Sequence, residues 1–220
     1  MAVIEGGVSA ALLGVGAETA SAAHVQVKPI AYGALGHYRT SVTLTTATAQ
    51  AANSRLFEIR NTHATNLIVL TRCRVGFLSA GTITASYVFT LGLFRLTAFT
   101  AVDTTNTVTP VSSVKRASMA AYPGGAAVRH VTLAGASAGM TGGTLTKDTQ
   151  AAATFVAWAA TASASTVPFY QELVDDPAGT HPFVFTQNEG FEIENVIAGD
   201  ATANVCRVTI DVSWAEVTAY

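Results

Sequence analysis

Two carboxylates stand side by side at Asp175-Asp176, and a looser acidic set, Glu189, Glu192, Glu194 and Asp200, surrounds Gly190 near the end of the chain. Adjacent carboxylates can share acid/base work or hold a hard cation such as calcium. Asp175-Asp176, however, runs straight into Pro177 and Gly179, the chemistry of a solvated turn. In the second set, Glu192 and Glu194 alternate with Phe191 and Ile193, so they fall on the outward phase of a strand, and a wet or subunit-facing surface is expected for them rather than a calcium site. The five histidines, His24, His37, His63, His130 and His181, show none of the close spacings that bring metal ligands together on one element. Cys73 and Cys206 sit within apolar runs and read as small buried hydrophobes, with neither a disulfide nor a metal assigned. Gly14-Val15-Gly16 lacks the preceding strand and third glycine of a dinucleotide site. The expectation is a non-enzymatic chain with no catalytic, cofactor-binding or metal-binding residues and no cofactor. Arg72 and Arg74 share one strand face and call for acidic partners, with Glu192 and Glu194 as candidates within the domain or across a subunit boundary.

The elements that carry these residues alternate with the period of a strand. From Val205 to Val217, Val208, Ile210, Val212 and Trp214 share one face while Arg207, Thr209, Asp211 and Ser213 share the other, as in a half-buried strand. Upstream, Phe183 to Thr186 and Phe191 to Glu194 flank the turn residues Gln187-Asn188-Glu189-Gly190, which predicts a β-hairpin or a sheet corner. Further strands are predicted over Tyr38 to Thr45, Leu56 to Arg60, Asn66 to Leu78, Ala85 to Phe99, Val128 to Leu133 and Ala151 to Ala160. In the Asn66 to Leu78 run, Leu67, Val69, Cys73, Val75 and Phe77 are assigned to one face and both arginines to the other. The Ala85 to Phe99 run is apolar on both faces, as expected of a strand buried on two sides or meeting a partner. Residues 101–150 are dominated by small residues and long connections, which suggest excursions that contact neighbours. Pro168-Phe169-Tyr170 to Gly179 reads as a linker. The result is one all-β domain over 37–220, an antiparallel β-sandwich of about eight strands, preceded by an extended N-terminal arm over 1–36. The arm is rich in glycine, alanine and isolated apolar residues that suit a groove on a neighbouring subunit, with a short helix at 18–23 as an option.

Composition bounds the setting. Half the 220 residues are hydrophobic and only 12% are charged, against roughly a quarter in an ordinary soluble domain, so other subunits are expected to cover much of the surface. A formal charge of −2 leaves no electrostatic footprint for direct nucleic-acid binding. Glu5, Glu18 and His24 break the N-terminal apolar stretch, so no membrane span is expected. Met1-Ala2-Val3-Ile4-Glu5 lacks the basic start of an export signal, so folding without export is expected.

Three stretches resemble a known group. They are Pro29 to Arg39 (Pro-Ile-Ala-Tyr-Gly-Ala-Leu-Gly-His-Tyr-Arg), Phe57 to Asn61 continuing into Ala64 to Leu70, and His181 to Val184 continuing through Asn188-Glu189-Gly190-Phe191 to Val212-Ser213-Trp214-Ala215-Glu216-Val217. Together they resemble a family of tailed-bacteriophage virion structural proteins, including capsid decoration, or cement, proteins. The resemblance covers the chain from about residue 29 onward, except residues 101–165. It implies a jelly-roll-like sandwich, localisation in the virion after assembly in the host bacterial cytoplasm, and partners such as the major capsid protein or other virion proteins. It also implies a homo-oligomer, with a trimer favoured. A tail, neck or baseplate component is the alternative within that class. A receptor- or glycan-binding module is another, for which Tyr122, Phe169 and Tyr170 are the aromatic candidates.

Overall fold

A computed structural model of the chain describes residues 2–5, 12–15, 36–47, 49–79, 86–109, 114–115, 128–132, 137–159, 169–175, 182–199 and 206–218. The optional helix at 18–23, together with His24, Tyr122, Asp176, His181 and Asp200, lies outside these residues. Every described element is a strand. Within 1–36, β1 (Ala2–Glu5) and β2 (Leu12–Val15) pair antiparallel as a separate two-stranded sheet.

The main strands are β3 (Gly36–Thr45), β4 (Ser54–Arg60), β5 (Leu67–Ser79), β6 (Tyr87–Ala101), β10 (Thr144–Lys147), β11 (Ala153–Ala159), β12 (Phe169–Asp175), β13 (Phe183–Phe185), β14 (Gly190–Asn195) and β15 (Cys206–Val217). Their order is β3-β15-β5 followed by β12 and β13 in one sheet, and β4-β14-β6 followed by β10 and β11 in the other. The chain is thus a long antiparallel hairpin in which β3 meets β15, β4 meets β14, β5 meets β12 and β13, and β6 meets β10 and β11. Rolled up so that β15 also meets β5 and β14 also meets β6, this is a jelly roll.

The eight positions of that roll account for the expected count, but two of them are each built from two strands. Three short strands, β7 (Thr107–Val108), β8 (Val114–Lys115) and β9 (Val128–Val131), extend the far edges. The strands of the 101–147 insertion therefore pair with their own chain: β9 with β4, β8 with β3, and β10 with β6. The linker assigned to Pro168–Gly179 is corrected as well. Residues Phe169–Asp175 form β12 against β5, with a register shift between Glu172 and Val174 that spoils the period-two pattern by which strands are read.

The core lies between the sheets. Val208, Ile210, Val212 and Trp214 are all buried, as the alternation predicts, and Trp214 stacks on Tyr38 with ring centroids 5.7 Å apart. In β5 the predicted face is half right. A register shift opposite Ser213/Trp214 leaves Thr71 out of the strand register, so Ile68 and Leu70 join Cys73, Val75 and Phe77 in the inter-sheet cluster, while Val69, also buried, falls on the opposite phase. One extra residue reverses the phase of all that precede it. Both cysteines are buried thiols outside any disulfide, and burial pushes the Cys73 thiol above its ordinary range. Neither is expected to react with a thiol reagent in the native protein, while both should label at full rate in denaturant; labelling of either without unfolding would contradict this packing.

Residues 183–195 form a corner between sheets rather than a hairpin. β13 belongs to the β5 sheet and β14 to the β4 sheet. Phe185 and Phe191, on either side of the turn, meet in the core with centroids 5.8 Å apart. Asn188 takes a left-handed conformation at φ 61°, a region asparagine tolerates. Glu189 accepts the Thr186 amide at 2.9 Å and an Arg95 hydrogen bond at 2.7 Å, and these contacts hold its carboxyl below the usual range against the opposing effect of burial. The buried Asn61 ties the corner to the β4 end by donating to the carbonyls of Phe185 and Asn66, each at 2.9 Å.

Candidate functional site

The outer face of the β4-β14-β6 sheet carries the densest chemistry in the described residues. Glu192 stands opposite Glu58 on β4 and Phe94 on β6, and Glu194 stands opposite Gly92. Alternation does put both glutamates on the outer face, but that face is not wet. Glu58, Glu192 and Glu194 are at most 1% exposed. The insertion closes over them: the residues after β6 bring in Asp103, residues 139–143 lie across Arg55, and β10 supplies Lys147. The expected wet or subunit-facing position of Glu192 and Glu194 is thus corrected, because a second layer of the same chain covers the sheet there.

Each ion pair fixes part of that layer. Arg55 Nε lies 2.9 Å from Asp103 Oδ2, its Nη2 donates to Oδ1 at 2.9 Å, and Nε lies 3.9 Å from Glu192 Oε2. Asp103 in turn accepts the Gly143 amide at 2.7 Å, and its own amide donates to Glu58 Oε1 at 2.8 Å. Lys147 Nζ donates to Glu194 Oε1 at 2.7 Å, and the ammonium sits 4.5 Å from the Phe94 ring centroid. Arg129 is opposite Glu58 in register, but its guanidinium donates to the Val128 carbonyl.

Four buried carboxyls, Glu58, Asp103, Glu192 and Glu194, thus face the Arg55 guanidinium and the Lys147 ammonium. Burial raises the Glu58 carboxyl to about 7, with Asp103 adding to the effect. Burial raises Glu192 to about 8, with Glu194 beside it. Arg55 pairs with Asp103 and Lys147 with Glu194, so no cation is left over to pair closely with Glu58 or Glu192, in line with their raised values. Glu58 Oε2 and Glu192 Oε2 have no hydrogen-bond partner among the described residues, as befits carboxyls placed by packing.

Among the described residues no group of three or more His, Cys, Asp or Glu is arranged to hold a metal ion. Of the acidic set named from the sequence, Glu192 and Glu194 share the cluster, Glu189 is engaged at the corner by Thr186 and Arg95, and Asp200 lies outside the described residues. Asp175 ends β12, opposite Arg72. His130 is buried with Nδ1 2.7 Å from the Val131 carbonyl oxygen, and burial lowers its pKa. His63 Nδ1 accepts the Thr65 and Asn66 amides in a local turn.

The arginines predicted to need acids find them, but in the other sheet from Glu192 and Glu194. Arg72 pairs with Glu172, and Arg74 pairs with Asp211 at 2.6 Å. Ser41 also bonds Asp211, and Thr43 meets Thr209 at 3.1 Å, so the outer face of the β5-β15-β3 sheet is a polar ladder. On it lies Tyr170, 47% exposed. Its ring edge fills the space a Cβ would take on Gly76, and the Arg74 guanidinium is 5.0 Å from its centroid.

The sequence signal that could have exposed the buried cluster is Glu58 itself, set between Phe57 and Ile59 in a run with no turn chemistry. Asp103, Arg55 and Lys147 carry no such signal, since only the fold brings them together. Comparison of the chain with family models, curated proteins and solved structures finds no match.

Proposed function

We propose that the protein is a non-enzymatic structural component of a tailed-bacteriophage particle, acting as a capsid decoration protein that binds and stabilises the head lattice. The observation that carries this reading is where the ionisable groups lie. The chain holds few charges, and the densest carboxyl cluster among the described residues is buried beneath the insertion, where it fastens the insertion to the outer face of the β4-β14-β6 sheet. Charge spent internally leaves a surface poor in charge, which suits contact with other protein subunits better than contact with solvent. The resemblance of the corner and closing-strand motifs to phage virion proteins adds to this. Jelly rolls serve viral capsids, lectins and small-molecule enzymes alike, so the fold by itself does not choose among them.

The experiment is a binding measurement on purified heads with the full chain and a variant lacking residues 1–30. Loss of head occupancy in the variant is expected, and undiminished occupancy removes the arm from the contact. Locating the protein by electron microscopy of whole particles separates a head position from one in the tail, neck or baseplate. The half-exposed Tyr170 on the polar ladder favours glycan binding as a second reading. A glycan array without hits for the native protein removes it.

A further inference from the structure

One exposed face departs from the charge-poor surface. On the outer face of the β12-β5-β15-β3 sheet, alternation places Glu172, then Arg72 and Arg74, then Asp211 and Arg207, then Arg39, in strand order. Arg72 is answered by Glu172 and Arg74 by Asp211. Arg39 and Arg207 are exposed and have no acidic partner among the described residues. Even with Asp175, which stands opposite Arg72 in register, counted in, the face carries more guanidinium than carboxylate, on a chain whose formal net charge is −2. Local positive excess of this kind attracts an anion. Desolvating so many charges disfavours another protein subunit as the cover, since the cores of protein interfaces are depleted of charge.

The same face carries an aromatic platform. Tyr170 stands opposite Gly76 with its ring edge in the space a Cβ there would take, and the Arg74 guanidinium lies 5.0 Å from the ring centroid. Held by both neighbours, the ring is nonetheless 47% exposed. Thr209 and Thr43, whose hydroxyls are 3.1 Å apart, continue the row beyond Gly76, and Arg207 follows two residues from Thr209 on the same phase. Strands about 4.8 Å apart with a rise of about 3.3 Å per residue put the Cα atoms of Tyr170 and Arg207 roughly 12 Å apart, a span that two long side chains reduce to the length of a short oligosaccharide. A fixed ring offers its face to sugar C–H groups with little further loss of side-chain entropy, and an unpaired guanidinium takes a carboxylate or sulfate through two parallel hydrogen bonds. We propose that this face binds an acidic glycan, with one sugar stacked on Tyr170 and a carboxylate or sulfate held by Arg207. Such binding presupposes the glycan reading of the Tyr170 face and narrows it to acidic sugars.

The test screens the native full chain on an array of sialylated, uronate-containing, sulfated and neutral glycans, then titrates the strongest hit by calorimetry. Acidic hits are expected. Tyr170→Ala and Arg207→Gln should each weaken binding by at least about tenfold, with circular dichroism unchanged. Because Tyr170→Ala uncovers Gly76 within the sheet, Arg207→Gln, at an exposed position, is the deciding variant. Arg39→Gln removes the same charge roughly 20 Å from the ring by the same strand spacing, and it should bind as the wild type does. Neutral hits alone would leave the glycan reading standing and overturn the acidic one, whereas an array without hits removes both. Acidic binding that survives Arg207→Gln, or that falls equally in Arg39→Gln, would overturn the assignment of Arg207. Competition by polyaspartate as strong as by the glycan itself would show attraction of charge without a sugar site, and would overturn it as well.

Discussion

Gly190→Ala is expected to destabilise the protein by roughly 3–5 kcal/mol, the upper range for a single substitution. A Cβ at Gly190 would stand 1.9 Å from the Ile59 carbonyl oxygen, 2.9 Å from the Ile59 carbonyl carbon and 3.1 Å from Arg60 Cα. All three atoms are backbone, so no rotamer change relieves the overlap, and β14 must part from β4 where both are buried. The clash falls on the first residue after the sheet corner, next to Phe191, whose ring packs against Phe57 and Phe185. Gly199→Ala is the control, because a Cβ there meets Gln50 at 3.2 Å or more. Urea titration of both variants reads the difference, and a Gly190→Ala midpoint close to wild type would show that the corner yields easily.

The second large effect is on pH. Glu58 and Glu192 are raised to about 7 and about 8 in the fold, and burial raises Glu216 on β15 to about 7, all from an unfolded value of 4.5. The folded state therefore holds these protons more tightly than the unfolded state. The stability they contribute is fully present below about 4.5 and is lost as pH rises through 7 to 8. Between pH 5.5 and 8.5 the unfolding free energy should fall by about 2–4 kcal/mol. Glu192→Gln removes one titration while keeping shape and an uncharged side chain. It should flatten the slope and make the variant more stable than wild type at pH 8.5. A wild-type midpoint that is flat or rises over this range would mean that water or a cation reaches the cluster.

Much of the sandwich was legible because its strands are long and follow one rule. In β15 the period-two alternation separates Val208, Ile210, Val212 and Trp214 from Arg207 and Asp211 without reference to any partner. The turn residues Asn188, Glu189 and Gly190 marked the corner for the same reason, since left-handed backbone and close approach are properties of single residue types. Legibility failed where an extra residue entered a strand, as at Thr71 in β5 and between Glu172 and Val174 in β12. A bulge shifts phase without leaving a mark in composition.

The sequence by itself determined that the chain is an antiparallel sandwich, which residues of β15 face inward, and where the chain turns between Phe185 and Phe191, while the structure decided that this turn is a corner between sheets and not a hairpin. These follow from local periodicity and backbone preference. It also placed Glu192 and Glu194 correctly on the outer phase of β14. Whether an outer phase meets water depends on what else the chain lays over it, and that is a matter of long-range contact. Asp103 and Lys147 come from an insertion more than 40 residues from Glu58 and Glu194, with separations of 45 and 47. Only the tertiary structure could therefore decide that one half of that face is a sealed cluster of charge and the other half, around Trp158, is left bare. Alternation fixes the direction of a side chain, and the free energy of that direction is set by the layer that covers it.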